Sequence, residues 1–443
     1  MTQPQLAAVV MAAGLGTRMR SRTPKHLHRL LGRRVVDWVL EAARPLRPEP
    51  LVVVASAQAR AELDGVQAVV QAEPRGTADA VATARPALDG FDGDVLVLSG
   101  DAPLLTTELL EGLLLAHHEA AAGVTILSFE PARPLPYGRV IRDEAGAVTG
   151  IVEAADATTE QLAIAELNSS IYVFSAGQLW PALERIGSAN TQGELYLTDA
   201  VAAIVGAGGR AAAFRSPDAS SPVGVNTRSE LALAAAELRG RINERHMLAG
   251  VTIVDPGSTW IEADVRLAED TVVHPFTVLR GATSVETGAE IGPHAVLVDA
   301  VVGARAIVGP FCYVRPGTVL GADAKAGTFV ELKNSRIGAR TKVPHLSYIG
   351  DAEIGEDTNV AAGNITVNFP HEPGRPKGRT RIGNNVRTGV DNAFVAPVTV
   401  EDDAWIAAGT VITDDVPAGS LAGFPPRQVN REGYVYERRN TDA

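Results

Sequence analysis

The sequence predicts two joined architectures: an N-terminal α/β domain with a Rossmann-like, doubly wound sheet, and a C-terminal β-solenoid. Strand and helix patterns alternate along the first half of the chain, and small aliphatic residues recur every six positions in the second. Alternating strands and helices indicate a mainly parallel sheet with ligands at the carboxyl ends of its strands. A strict period of six fits neither a helix nor a half-buried strand and is typical of a hexapeptide β-helix.

The composition is that of an ordinary globular chain with an acidic balance. Of 443 residues, 46% are hydrophobic and 21% charged, and the formal net charge is −12. Such a chain lacks the basic face that nucleic-acid binding requires, so anionic ligands must be met by individual Arg and Lys residues. The single cysteine, Cys312, excludes an internal disulfide and fits a reducing cytoplasm. No run approaches the roughly 18 apolar residues of a membrane span.

The first half contains the elements of a nucleotide-binding sheet. The spacing predicts strands over 6–11, 51–55 and 95–98, and helices over 35–43 and 77–84. The first strand runs into a loop whose Gly14 and Gly16 let backbone N–H groups approach a phosphate. Arg18 and Lys25 then supply cations. This loop is neither a Walker A sequence nor a GxGxxG fingerprint, so a tight turn with solvated cations is the alternative interpretation.

A carboxylate closes the third predicted strand, where Leu98 leads into Ser99-Gly100-Asp101. Strand ends of this kind commonly hold Mg²⁺ together with nucleotide phosphates. An aspartate in this place is equally often a turn or cap residue, and both interpretations stay open. The segment 71–77 forms a second glycine-containing loop that leads into a helix.

The order and spacing of these motifs resemble one family, the bifunctional N-acetylglucosamine-1-phosphate uridyltransferases/glucosamine-1-phosphate acetyltransferases. Its members join a sugar-nucleotide pyrophosphorylase to a hexapeptide-repeat acetyltransferase. The resemblance rests on residues 12–19 with Pro24-Lys25, Gln71, Gly76-Thr77, Gly100-Asp101, Tyr137-Gly138, 151–153, Asn168, 192–199 and 224–226. It covers essentially the whole chain. The expected organisation is a nucleotidyltransferase domain over 1–225, a linker helix over 226–250 and a β-helix domain with a C-terminal tail over 251–443.

The resemblance implies a role for each matching residue of the first half. Met11, Ala12, Ala13, Gly14, Gln71, Gly76 and Thr77 would hold the uridine end of UTP, with Ser99 and Gly100 also at the substrate. Arg18 and Lys25 would act in catalysis by neutralising the triphosphate. Gly138, Glu153 and Asn168 would read the sugar, and Asp101 and Asn226 would bind Mg²⁺. The chain departs from the family at Asp79, at Ser99 and at Ser169-Ser170, where the family has His, Tyr and Thr-Gly.

Residue spacing predicts both the linker helix and the ladder of six-residue repeats (hexads) that follows it. Leu231, Ala235, Leu238 and Ile242 predict a long amphipathic helix over 230–247 that ends at Gly250 and serves as an interdomain strut; a partner-binding helix is the alternative. Eighteen hexads begin at Val302, Val308, Val314, Leu320, Ala326, Leu332, Ile337, Val343, Ile349, Ile354, Val360, Thr366, Ile382, Thr388, Phe394, Val400, Ile406 and Ile412. Each supplies one inward side chain, and stacking buries the column. The segment 370–381 is the one large interruption. Its basic residues Arg375, Lys377, Arg379 and Arg381 could serve the coenzyme's phosphates, and a solvated loop is the alternative.

Polar residues in the ladder are expected at outward positions and resemble the family's acetyltransferase motifs. His345 would be the general base, because an amine attacks a thioester only when neutral. Arg315 and Lys333 would hold the sugar phosphate, and Tyr348 and Asn359 the sugar. Ala362, Asn368, Phe369, Val390, Ala408 and Arg427 would line the acetyl-CoA channel. Val390 replaces a serine, and Pro425 stands where a coenzyme-phosphate arginine is expected. The family's solenoid is left-handed and forms homotrimers.

Together these expectations describe an enzyme that makes UDP-N-acetylglucosamine for cell-envelope glycans. Its substrates would be acetyl-CoA, glucosamine-1-phosphate, N-acetylglucosamine-1-phosphate and UTP. One alternative is a nucleotidyltransferase for another sugar-1-phosphate with an altered or inactive acetyltransferase half. Another is a non-enzymatic subunit that binds sugar nucleotides, and the joint presence of Arg18, Lys25, Asp101 and Asn226 speaks against it.

Overall fold

The structure, a computed structural model, describes residues 5–14, 16–370, 374, 376–423, 428, 430–434 and 436. It forms two compact units, residues 1–238 and 239–443. Within the described residues, no helix is long and apolar enough to cross a membrane.

The N-terminal unit is an α/β sandwich of eleven strands with helices on both sheet faces. The strands are β1 Leu6–Ala12, β2 Arg29–Leu30, β3 Arg33–Arg34, β4 Leu51–Ala55, β5 Gln67–Val70, β6 Asp94–Ser99, β7 Val124–Phe129, β8 Arg139–Arg142, β9 Val148–Val152, β10 Leu167–Ser175 and β11 Ala211–Arg215. The helices are α1 Val35–Ala43, α2 Ala57–Arg60, α3 Thr77–Ala84, α4 Thr107–Glu119, α5 Thr159–Leu162, α6 Ala176–Leu183 and α7 Asp199–Gly206. The predicted strands and helices of this half are confirmed to within a residue at each end.

The main sheet has the order β11-β7-β10-β6-β1-β4-β5 and is mainly parallel, as predicted. Strand β10 alone among these seven runs antiparallel to both neighbours, β6 and β7. Alternate residues of the central strands enter opposite cores, since Val9 and Val97 pack on one face and Val10 and Leu98 on the other. Burial on both faces explains why these strands are almost wholly apolar. The register pairs Met11 with Ser99, so the loops after β1 and β6 emerge side by side.

A long helix, α8 Arg228–Leu248, begins in the first unit and continues into the second. Its apolar side chains recur three to four residues apart, and Ala234, Leu238 and Ile242 are buried. Gly250, at φ 92°, follows its carboxyl end in a backbone conformation that side chains disfavour. Asn243 donates to the carbonyl oxygens of Pro256 (3.0 Å) and Thr259 (3.2 Å), and all three residues belong to the second unit.

The second unit is a left-handed parallel β-helix with three faces. The first face holds Thr252–Ile253, Val272–Val273, Glu290–Ile291, Ile307–Val308, Lys325–Thr328, Lys342–His345, Arg387–Thr388, Trp405–Ile406 and Leu421–Ala422. The second holds Trp260–Ile261, Val278–Arg280, Val296–Val298, Tyr313–Val314, Glu331–Lys333, Tyr348–Gly350, Ile365–Val367, Ala393–Val395 and Val411–Ile412. The third holds Arg266–Leu267, Ser284–Val285, Val301–Val302, Val319–Leu320, Arg336–Ile337, Ala352–Ile354, Thr380–Ile382 and Val398–Val400.

One hexad supplies one face, so three hexads close a coil. The predicted hexad starts Val308, Val314 and Leu320 are buried and lie on the first, second and third face of a single coil. The ladder begins earlier than its predicted start, with Ile253. Corner residues such as Phe311 (φ 55°) and Phe329 (φ 56°) adopt the left-handed backbone conformation, which turns the chain sharply from one face to the next. Stacked Phe276, His294, Phe311 and Phe329 rings then follow one corner.

A buried histidine near the end of α8 predicts acid sensitivity. Burial, with the nearby Arg245 charge, lowers the pKa of His246 to about 4. The native state therefore holds this ring neutral, while the unfolded chain protonates it below its ordinary pKa of about 6.5. Stability is complete above that pH and is lost as the pH falls towards 4, by at most about 1.4 kcal/mol per pH unit.

We expect the His246→Leu variant to show a shallower loss of stability on acidification than the parent chain. Chemical denaturation at several pH values between about 7.5 and 4.5 measures the slope, because only groups that bind protons on unfolding contribute to it. An identical slope in parent and variant would contradict the assignment of acid sensitivity to this ring.

Candidate functional site

A cavity of about 520 Å³ opens at the carboxyl ends of β1, β5 and β6. Its size lies within the range of small-ligand sites. The walls include the predicted residues Met11, Ala13, Gly14, Arg18, Lys25, Gln71, Gly76, Thr77, Ser99, Asp101 and Asn226. Ala12 and Gly100 are buried. The structure thus brings together residues from four separated loops at the strand ends, where an α/β sheet places its ligand.

In the cavity, the ammonium group of Lys25 is held between two side-chain oxygens. The Lys25 ammonium donates to the Asp101 carboxylate and, at 3.0 Å, to Asn226 Oδ1. Ser99 Oγ donates to the other carboxylate oxygen of Asp101 at 2.6 Å. Burial alone would raise the pKa of Asp101, but Lys25, His26 and Ser99 together lower it to about 2. The carboxylate therefore stays charged at any physiological pH.

The loop that carries Asn226 is fastened directly to Asp101. Val225 N–H donates to Asp101 O at 2.8 Å, and Gly224 N–H donates to Tyr137 Oη at 3.0 Å. A Cβ at Gly224 would lie 2.8 Å from Asp101 Oδ1, so only glycine allows this approach. Burial raises the pKa of Tyr137 to about 12, which keeps its hydroxyl neutral.

The far end of the cavity is formed where α3 begins. Gly76 has φ 122°, and a Cβ there would lie 2.4 Å from Leu195 O. Ala78 N–H donates to that same carbonyl oxygen at 2.9 Å, and Thr77 Oγ1 accepts from Leu197 N–H at 2.9 Å. The loop between α6 and α7 thereby holds the start of α3 at the cavity wall.

The three residues predicted to read the sugar are not among those that line the cavity. Burial raises the pKa of Glu153, whose Oε1 accepts from Thr198 Oγ1 at 3.2 Å. Gly138 lies beside Glu153, since a Cβ on it would be 3.4 Å from Glu153 Oε2. Asn168 is only 1% exposed and donates to Tyr172 Oη at 2.8 Å. Ser169 and Ser170, which follow it, line the cavity instead.

In the β-helix, His345 begins a column of predicted residues. His345, Ala362, Val390 and Ala408 each stand two residues after a hexad start, at the corner between the first and second faces. Backbone hydrogen bonds join the coils here, from Gly363 N–H to His345 O (3.4 Å) and from Gly409 N–H to Val390 O (2.8 Å). His345 is exposed, so its imidazole is open to solvent.

A charged cluster lies at the carboxyl ends of the second-face strands, towards the third face. Lys333 Nζ is 4.0 Å from Asp351 Oδ2, and Asn368 donates both to Asp351 and, at 3.4 Å, to Tyr348 Oη. Contact with the Lys333 ammonium lowers the pKa of Lys377. Asn368 is only 7% exposed, because its amide lies against the Asp351 and Tyr348 side chains that it bonds.

The remaining acetyltransferase candidates are dispersed. Arg315 donates to Glu331 at 2.9 Å, on the second face. Asn359 bridges Lys342 and Arg387 on the first face. Phe369 is 73% exposed, and Arg427 lies outside the described residues. One chain therefore presents Asn359 and Tyr348 on different faces.

Several residues near the two sites were not predicted. Tyr137, His26 and Glu194 line the first cavity. Tyr137 belongs to a motif that was noted for its glycine, so its sequence signal was present. His26 lacks any such signal, because its proximity to the site arises only from folding. Lys377 was expected at the coenzyme's phosphates or in a solvated loop, and the structure places its ammonium beside that of Lys333.

The comparisons with known proteins cover both units. Residues 8–192 match the family model of the MobA-like NTP transferase domain, and residues 379–414 match the hexapeptide repeat of succinyl-transferase. Proteins named bifunctional protein GlmU are similar over nearly the whole length. The relative from Mycolicibacterium gilvum is 48% identical over 98% of this chain and 92% of its own. Those from Kineococcus radiotolerans and Streptomyces avermitilis are 49% and 48% identical over 99% of this chain, and 94% and 95% of their own.

Identity at this level along both units leaves the alternative of a different sugar specificity without support. The prediction made from the motifs is confirmed: this chain belongs to the GlmU family of bifunctional uridyltransferase–acetyltransferase enzymes.

Proposed function

We propose that this chain acetylates glucosamine-1-phosphate with acetyl-CoA and then transfers uridylyl from UTP to N-acetylglucosamine-1-phosphate, with the residue roles given below. The observation that carries this proposal is the presence in one chain of two separate sites. One holds Lys25, Asp101 and Asn226 in a cavity, and the other presents His345 at the corner between the first and second faces of the β-helix and Lys333 at the far end of the second face. A coupled assay from glucosamine-1-phosphate, acetyl-CoA and UTP tests the whole proposal.

In the uridyl transfer, a phosphate oxygen of the sugar phosphate attacks the α-phosphorus of UTP, and pyrophosphate leaves. No protein nucleophile is required, so positioning and charge neutralisation provide the catalysis. Lys25 lies in the cavity wall with its ammonium directed to Asp101, and Arg18 lies in the same wall. Both would neutralise the triphosphate, while the loop at Gly76 would hold the uridine.

The donor set fits Mg²⁺. Asp101 and Asn226 present hard oxygens around one point, and the Lys25 ammonium between them shows that this point attracts a cation. In the described residues there is no cluster of three or more metal-ligating His, Cys, Asp or Glu side chains. That agrees with Mg²⁺, which usually takes one or two carboxylates and completes its shell with substrate phosphates and water. When bound, the metal would neutralise charge on the phosphates.

We expect the Asp101→Ala variant to lose uridyl transfer by at least about a hundredfold, because the charged oxygen facing Lys25 and the metal is removed. Pyrophosphate release from UTP and N-acetylglucosamine-1-phosphate measures it. Acetyl transfer by the same preparation is the internal control, since Asp101 belongs to the other unit. Full uridyl transfer in the variant would contradict the role of Asp101.

In the acetyl transfer, the 2-amino nitrogen attacks the thioester carbonyl, the carbon–sulfur bond breaks, and the coenzyme leaves as a thiol. His345 would take the proton from the attacking nitrogen and pass it to the departing sulfur. Lys333 and Lys377, whose ammonium groups lie together, would hold the sugar phosphate. The segment around Lys377 thus serves the sugar phosphate in this proposal, rather than the coenzyme.

We expect His345→Ala to reduce acetyl transfer by about 10²–10⁴-fold, the usual contribution of a positioned general base. Thiol release from acetyl-CoA measures it. His274→Ala is the matched control, because His274 lies in the same β-helix but pairs with Glu290 at 2.7 Å. Equal losses in the two variants would remove His345 from its role.

A homotrimer in the cytoplasm is part of the same proposal. Because Asn359 and Tyr348 lie on different faces of one β-helix, a complete sugar site needs the first face of one copy against the second face of another. A closed ring of three copies repeats that contact three times. Cys312, buried and without a disulfide, agrees with a reducing compartment.

Mixing two inactive variants tests the shared site. Tyr348→Ala and Asn359→Ala, each expected to be nearly inactive, should regain about a quarter of parental acetyl transfer when unfolded together and refolded at equal amounts. If assembly is random, a quarter of the sites receive one intact residue from each of two neighbouring copies. The native mass should be three times the 46.4 kDa of the chain. No recovery in a mixture of that mass would place both residues in one copy.

A further inference from the structure

The side-chain amide of Gln71 is held in one orientation by two acceptors at the wall of the nucleotide cavity. Gln71 Nε2 donates to Asp79 Oδ2 at 2.8 Å and to Gly76 O at 3.3 Å. Both Gln71 and Asp79 are buried, at 7% and 8% exposure. Gln71 lines the cavity, and Asp79 lies one turn into α3 behind it.

The chemistry of the two partners decides which end of the amide faces them. The second oxygen of the Asp79 carboxylate accepts from Arg75 at 2.6 Å, so this group is an ion-paired acceptor with no proton to donate. A backbone carbonyl likewise only accepts. The reversed amide would set its oxygen against two oxygens, and such a buried mismatch leaves several polar groups unpaired. The NH₂ group is therefore turned to the wall, and Oε1 is left for the cavity.

We propose that Asp79 selects the pyrimidine base of the nucleotide by fixing Gln71 Oε1 as an acceptor. The inference rests on the proposed uridyl transfer and on Gln71 lying at the uridine end. Uracil carries a proton on ring nitrogen N3, which that oxygen accepts. Cytosine carries a bare lone pair on N3, which faces the same oxygen without a proton between them. Its 4-amino group is a donor, but meeting it displaces the base by one ring position.

Asp79 is thus a positioning residue that acts through Gln71. Sites built to hydrogen-bond a substrate group reject analogues that lack it far more strongly than apolar pockets do, because the buried polar group stays unpaired. Arg75 supports the arrangement only from outside, since its side chain is 65% exposed. The selectivity therefore depends on the acceptor oxygen of Asp79 rather than on the salt bridge.

The test is the ratio of kcat/KM for UTP to that for CTP in the Asp79→Asn variant, with N-acetylglucosamine-1-phosphate as the second substrate. An asparagine amide can donate to Gln71 Oε1, so the Gln71 amide can turn over and present its NH₂ group to the cavity. We expect the ratio to fall at least about tenfold, with CTP used better than by the parent. Reduced folding does not affect the ratio, because both nucleotides meet the same active molecules.

Two further variants complete the design. Asp79→Ala keeps a good helix former in α3 and removes the acceptor, so its ratio should also fall. Arg75→Met removes the exposed cation and leaves Asp79 Oδ2 in place, so its ratio should equal the parent's. An unchanged ratio in Asp79→Asn, or an equal fall in Arg75→Met, overturns the assignment. No turnover of UTP by the parent chain would instead contradict the proposed function.

Discussion

In-register parallel strand pairing is the constraint on which both halves of this chain depend. In the first unit, β1 pairs with β4 and β6, and β4 pairs with β5. This brings the carboxyl ends of β1, β5 and β6 to one edge, and so sets Gly14, Gln71 and Asp101 around one cavity. In the second, the same pairing repeated coil after coil stacks Ala362 and Val390 above His345. Chemistry-bearing residues far apart in sequence meet because equivalent strand positions lie side by side.

Much of this arrangement could be predicted from sequence, because it depends on periodicity and on where strands end. Helix α3 and the hexad ladder follow directly from residue spacing. What spacing does not predict is the partner of each polar side chain. The bond between Gln71 and Asp79, the burial of Asn368 and the approach of Lys377 to Lys333 depend on rotamers and loop paths. The domain limits and the role of each site residue stay predictions.

Local cations against an acidic background account for the electrostatics of both sites. The chain carries a net charge of −12, yet Lys25 lies in one site, and Lys333 and Lys377 lie together in the other. Each cluster contains an acidic partner. Lys25 lowers the pKa of Asp101 against the effect of its burial, and hydrogen bonds from Asn334 and Asn368, with the nearby lysines, lower the pKa of Asp351. Two adjacent ammonium groups repel each other until an anion lies between them. A bound phosphate relieves that repulsion, so the sites are arranged for anionic substrates although the chain as a whole repels them.

Backbone hydrogen bonds between coils also explain how the β-helix accommodates a valine at position 390, where the family has a serine. Val390 replaces a serine, but the backbone at this corner is held by its neighbours, through bonds from Gly409 N–H to Val390 O and from Asp391 N–H to Ala362 O. The side chain at position 390 is exposed and takes no part in these bonds. A valine there therefore leaves the course of the column unchanged and removes one hydroxyl. The backbone of the column keeps its place, because the fold rather than this side chain positions it.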